Sequence, residues 1–372
     1  MIRYPLLTLL LLAGCTAAPE NNWQELPRPS AEAVVRDIVH CGDSWLAVGA
    51  VRLGTDPSVA PNEQPSSSFR PAAWRWHENT WREVGAKPSS YYGERAILRQ
   101  VACRGNDFAA LGGASGGAHG NLRITTWFSS AGGELTQNPL EDFELFGGGS
   151  AIGVEEMVAF PGGYVMAGNW LHPSGRAGPA VWFSADGRAW QRLPEDPALA
   201  STGEVTRHAN GIVALGQQSN GLLLIGEERK GGKDMPFAAT SSDGKGWIQE
   251  AIPGEGSLLN GSATTLAAWH GSRIDAWRRV DSRWQPSGGF DPGQGPQPPR
   301  ITGVTGSLIG SCGGKECGLW RYQDGKWTAL KAPTPLAATP TSAVLLAGDG
   351  KKMLLTMTDG NNLRMYLAES LG

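Results

Sequence analysis

One two-part pattern recurs along this chain and restricts it to a repeat architecture. The first part reads Ile38-Val-His-Cys-Gly-Asp-Ser-Trp-Leu-Ala-Val-Gly49 and returns as Val101-Ala-Cys-Arg-Gly-Asn-Asp-Phe-Ala-Ala-Leu-Gly112 and Met157-Val-Ala-Phe-Pro-Gly-Gly-Tyr-Val-Met-Ala-Gly168. Each copy is an apolar strand, a turn rich in Gly, Asn and Asp, and a second apolar strand ending in Gly; Thr206 to Gly216 reads as a weaker fourth copy. The second part follows as Ala73-Trp-Arg-Trp-His-Glu-Asn-Thr-Trp81, Val181 to Trp190, Ala239 to Trp247, Ala276 to Trp284 and Leu319 to Trp327. These are hairpins: a strand, a tight turn carrying Asp-Gly or Asn, and a strand opening with Trp. Trp127 to Leu135 is the same unit with Leu in place of the second Trp.

Four strands per unit of roughly 35 to 60 residues match the blade of a β-propeller. The Trp-opened or Leu-opened strands mark six blades. A seventh comes from Ser342 to Gly348, Met353 to Thr358 and Leu363 to Leu367, which lack an outer strand. Asn22-Trp-Gln-Glu-Leu-Pro27 copies Ala189-Trp-Gln-Arg-Leu-Pro194, so the N-terminal strand is expected to complete that blade. Closure removes the exposed sheet edges of an open array. The expected fold is therefore all-β, a seven-bladed propeller over residues 22–372. Hydrophobic content of 40% supports a packed core, and the high glycine content, 52 residues, suits many tight turns.

The hairpin turns resemble the Asp-box of sialidase-like propellers, Ser-x-Asp-x-Gly-x-Thr-Trp. Ser184-Ala-Asp-Gly-Arg-Ala-Trp190 and Ser241-Ser-Asp-Gly-Lys-Gly-Trp247 are one residue shorter between Asp and Trp. The resemblance implies architecture and no activity. Asp186, Asp243 and Asp324 are read as turn caps, and the recurrent tryptophans as wedges between blades rather than a carbohydrate-stacking stripe.

Residues 1–15, MIRYPLLTLLLLAGC, carry one cation at Arg3, an apolar run too short to span a bilayer, and small residues before a cysteine. Leu12-Ala-Gly-Cys15 resembles the lipobox of bacterial lipoproteins. That resemblance implies a cleaved signal peptide at 1–14, a lipidated Cys15, a tether over 15–21 and a site in the bacterial cell envelope, at the outer membrane or cell surface. In such an oxidising compartment the other four cysteines allow three pairings. Cys312 and Cys317 flank Gly-Gly-Lys-Glu and suit a bridge across one hairpin, while Cys41 and Cys103 hold matching repeat positions.

The net charge of −3 gives no case for nucleic acid. No Cys-x-x-Cys, His-Glu-x-x-His, phosphate loop or Gly-x-Ser-x-Gly elbow is present, so no catalytic residue, metal or cofactor is assigned. Loops between second and third strands share a face with the blade-to-blade links, and both vary most here. They are Arg52–Arg70, Ala114–Asn121, Trp170–Pro179 and Gln217–Met235, with links Lys87–Arg95, Asn138–Gly153 and Pro286–Arg300, the last a Pro/Gly-rich linker. Such a face is where repeat proteins bind. Tyr91, Tyr92, Phe143, Phe146 beside Glu141 and Asp142, and Trp170 with His172 and Arg176 are its candidate ligand-binding residues.

Three functions are consistent with this chain. The first is a lipid-anchored, non-catalytic module that binds or scaffolds an envelope protein or glycan. The second is a sialidase-like glycoside hydrolase, for which the expected Arg-Ile-Pro is absent and Phe69-Arg-Pro71 a poor substitute. The third is an outer-membrane assembly factor, whose Asp-x-x-Thr-Gly-x-x-x-Trp signature is missing. The first reading asks least of the residues.

Overall fold

The computed structural model describes residues 23–55, 67–116, 120–139, 143–216, 221–295, 297–360 and 362–369. The expected signal peptide, Cys15 and the expected tether lie outside them, as do Glu141, Asp142 and much of the first inserted loop.

Seven antiparallel sheets stand around a central channel. Blade I runs Ala33–Cys41, Ser44–Thr55, Ser67–His77 and Thr80–Val84, from the channel outward. Blade II is Ile97–Arg104, Asp107–Gly116, Asn121–Ser129 and Leu135–Gln137, and Ala86–Lys87 of the preceding link adds a parallel fifth strand. Blades III and IV start at Ala151 and Val205, V and VI at Ser257 and Gln297. Blade VII takes Ala343–Gly348, Lys352–Thr358 and Leu363–Glu369, then closes with Gln24–Leu26, which pairs Gln24 with Leu367 and Leu26 with Met365. The N-terminal strand thus seals the ring.

The tryptophans are core. Trp74, Trp127 and Trp182 hold the same place on the third strands of blades I to III and are almost completely buried. Trp190, Trp247, Trp284 and Trp327 open outer strands or the turns before them and are also buried. The largest flat side chains bury the most apolar area where neighbouring sheets diverge.

The glycine ending each first repeat has a steric cause. Six of the seven inner strands carry a β-bulge, as between Val35 and Asp37, and the second strand must let the kinked backbone pass. A Cβ on Gly49 would lie 1.8 Å from the Val34 carbonyl oxygen, and one on Gly168 2.2 Å from that of Gly153.

Both disulfides form. Cys41–Cys103 ties the inner strand of blade I to that of blade II, and Cys312–Cys317 joins register partners across the hairpin of blade VI.

Four local readings change. Thr206–Gly216 is no strand-turn-strand unit: Val205–Ala214 is one continuous strand, with Asn210 at its bulge. The Asn-Gly pair that resembles a turn is the extra residue of that bulge and its neighbour. Gln217–Met235 is consequently no insertion, because Leu222–Lys230 and Lys233–Ser241 form a tight hairpin within it. The segment from Pro286 to Arg300 is only partly linker, since Arg283–Phe290 is the outer strand of blade V. Asp324 takes a left-handed φ of 53° in a two-residue turn with Gly325, unlike the Asp-box turns of blades III and IV.

Those two turns are built alike. The Asp186 carboxylate accepts hydrogen bonds from the Arg188 and Ala189 amides (2.8 and 3.2 Å) and from the Ser184 hydroxyl, while Ser184 accepts from Gly187. Asp243 does the same with Lys245, Gly246 and Ser241. Partial burial opposes ionisation of Asp186, but these donors outweigh it and hold the carboxyl below its ordinary value. The Gly246 and Lys245 amides lower Asp243 in the same way. Both aspartates are therefore committed to their turns.

Candidate functional site

Two cavities bear on the site, one in the central channel and one at the outer part of blade II. The central channel opens on the face of the short first-to-second-strand turns, with a cavity of about 630 Å3 lined by Asp37, Glu156, Asn260, Thr264, Thr302 and Thr305 among others. Its carboxylates already have partners. Asp37 accepts from its neighbour Ile38 (2.8 Å) and from the Val101 amide of blade II (2.9 Å). Glu156 of blade III accepts from the Ile212 amide of blade IV (3.1 Å). The Gln100 amide donates to the Glu155 carbonyl, and Thr302 exchanges bonds with both backbone groups of Val344 (3.0 Å each). A polar side chain at or beside the bulge therefore latches one blade to the next.

Both carboxyls are half-buried where the inner strands meet the channel, which limits their hydration. Burial pushes Asp37 up to about 7 against its two amide donors, and burial plus the Asp37 charge pushes Glu156 up to about 8. Sequence reasoning passed over these groups. Their signal is the polar pair just before each inner apolar run: Arg36-Asp37, Arg99-Gln100 and Glu155-Glu156.

The second cavity lies on the opposite face, where the sequence placed the binding loops. It is a cleft of about 300 Å3 beside blade II, at the low end of the usual range for ligand pockets. Leu122–Thr126 of the third strand form its floor, Gln137–Pro139 one side, and Tyr92, Phe143 and Phe146 the aromatic walls. One-turn helices at Tyr91–Glu94 and Phe143–Phe146 deliver those aromatics; the first is capped by Ser90, whose hydroxyl accepts from Gly93 at 3.0 Å. Gln137 fastens this link to the blade, accepting from Ser89 and donating to Ser90 (2.8 Å each). The Arg123 guanidinium lies 4.3 Å from the Phe143 ring centre, leaving a charge at an apolar rim.

Three candidate residues, Tyr92, Phe143 and Phe146, thus share one cleft. Phe143 is 54% exposed, whereas Phe146 stacks on Trp182 at 6.0 Å. Tyr91 is exposed beside it, its ring edge-on to Tyr92 and covered by Arg95 at 4.0 Å. Trp170 and His172 are drawn inward instead. Trp170 packs edge-on against Trp182 beneath Arg192, and the buried His172 ring bonds the Pro179 carbonyl at 3.0 Å. Arg176 is exposed, and its carbonyl accepts from the His172 amide. Five of the exposed large apolar side chains, Leu53, Tyr91, Phe143, Ile152 and Leu171, stand at the loop ends of blades I to III, while Ile248 and Val280 are exposed on the outer parts of blades IV and V. Among the described residues no group of three His, Cys, Asp or Glu could hold a metal ion.

No family model and no curated protein matches this chain. Solved structures do. The β-propeller domain of the Trilobed protease from Pyrococcus furiosus, described as having an open velcro topology, aligns over 95% of each chain with a TM-score of 0.50 and 7% identity. YCF48 from Cyanidioschyzon merolae aligns over 95% of this chain and 98% of its own, with a TM-score of 0.46 and 14% identity. At such identities the likeness is one of fold: this chain is a seven-bladed β-propeller.

Proposed function

We propose that this chain is a non-catalytic binding or scaffolding module, held at the bacterial envelope by lipid on Cys15 and engaging its partner through the loop-rich face of blades I to III. One observation carries the reading. The face that the loop pattern marks for binding holds an aromatic-walled cleft with the exposed Phe143 at its wall, while the acids of the channel are occupied in latching blades. Aromatic side chains available to a partner beside a charged rim, here Arg123, are the anatomy of a protein contact.

Crosslinking in the native cells, read by mass spectrometry, tests this. Wild type is expected to capture a defined partner. Cys15→Ala should lose it through mislocalisation, and Phe143→Ala or Tyr92→Ala should lose it while folding and localisation are unchanged. Capture that survives both aromatic substitutions refutes the assignment of the face.

A further inference from the structure

We propose that the cleft of blade II takes an extended polypeptide segment, which adds as a short extra strand to the open edge at Leu122–Ile124 and places an apolar side chain between Tyr92, Phe143 and Phe146. This rests on the binding-module reading above and specifies its ligand.

The outer strand of blade II, Leu135–Gln137, is far shorter than the third strand it covers, Asn121–Ser129. It pairs at Trp127 and Phe128, and a last ladder bond runs from the Asn138 amide to the Thr126 carbonyl at 2.9 Å. Alternation along a strand then points the backbone groups of Ile124 and Leu122 outward, toward the cleft. Among the described residues nothing pairs with them on that side.

Three of the other blades close the same place. Aligned on the third-strand residues Trp74, Trp127, Trp182 and Ala239, which face equivalent outer-strand partners, the position of Ile124 is held by Pro71 in blade I, Pro179 in blade III and Pro236 in blade IV. Proline has no N–H to offer and is a common protection of a sheet edge. In blade III the carbonyls are covered too. His172 bonds the Pro179 oxygen at 3.0 Å, and the Ser201 hydroxyl donates to the Ala177 oxygen at 2.7 Å, at the places of Ile124 and Leu122. Among the described residues blade II has neither device, and there the edge borders an apolar cleft. Outward donors and acceptors at strand spacing next to a side-chain pocket are the recognition chemistry of strand addition.

The test begins with random peptides displayed on phage and panned against the full mature chain in detergent. Enriched peptides are then synthesised with single backbone N-methyl groups at each position. Strand addition predicts an alternating pattern: N-methylation at every second residue weakens binding about five- to tenfold or more, and at the residues between leaves it unchanged. Ile124→Pro should weaken binding comparably without lowering the melting temperature by more than a few degrees, because three other blades carry proline at that position. Peptides whose affinity shows no alternation, or is unaffected by Ile124→Pro, overturn strand addition. Panning that enriches nothing overturns the polypeptide ligand. In either case, loss of the cellular crosslink in Phe143→Ala would leave the binding-module reading standing, with a glycan array as its next step.

Discussion

The two disulfides should differ in what they contribute, and chain entropy sets the order. Cys41–Cys103 spans a sequence separation of 62 and Cys312–Cys317 one of 5. A cross-link restricts the unfolded chain more as its loop lengthens, which gives about 4 kcal/mol for the first and about 2 kcal/mol for the second at 25 °C. With an unfolding entropy of about 2.1 cal/mol/K per residue, a propeller of this length has roughly 0.7 kcal/mol/K in total. Melting temperature should therefore fall by about 6 °C in Cys41→Ala/Cys103→Ala and about 3 °C in Cys312→Ala/Cys317→Ala. Calorimetry of both variants, with wild type measured with and without reductant, separates loss of the cross-link from loss of packing at the buried Cys41. Reduced wild type should melt near the two variants combined. A hairpin variant that loses as much as the blade I to II variant, or a cross-blade variant that melts like wild type, refutes the entropic argument.

Two further outcomes follow from the carboxylates. Asp37 and Glu156 titrate near 7 and 8 when folded and near their ordinary values when unfolded, so the folded state binds more protons across roughly pH 4 to 8 and stability falls as pH rises through that window. Their contribution is fully present below it. Asp37→Asn/Glu156→Gln should flatten the denaturation midpoint between pH 5 and 8, and a wild-type midpoint that rises over that range contradicts the assignment. Asp186 and Asp243 act oppositely, losing their contribution only as pH falls below the ordinary carboxylate range, so they do not mask this slope. Asp186→Ala removes the acceptor for two amides and one hydroxyl in the blade III turn and should cost about 1–3 kcal/mol by urea denaturation. No measurable loss would mean that the turn holds without its cap.

Much of the architecture was legible because its causes are local. Alternating apolar runs, turn residues and wedge tryptophans repeat within each blade, so seven blades and the closing strand could be counted from spacing. The disulfide across the blade VI hairpin was legible for the same reason. Where one residue type serves two local geometries, the reading failed. Asn210-Gly211 suits a turn or a bulge, and only pairing along the whole of Val205–Ala214 selects the bulge. Trp170 and His172 look like loop residues open to a ligand, but the hairpin twist carries them into blade III, where His172 seals a carbonyl.

Sequence by itself determined the repeat, its number and its closure, since strand period and turn chemistry act over a few residues. Only the tertiary structure decided which polar groups are spent and which remain free. Asp37 and Val101 are 64 positions apart, yet they join blades I and II because ring closure fixes neighbouring inner strands at hydrogen-bonding distance. Likewise Ile124 gains its meaning from Pro71, Pro179 and Pro236, residues remote in sequence that the propeller superimposes. The open edge is a property of register, which no single segment contains.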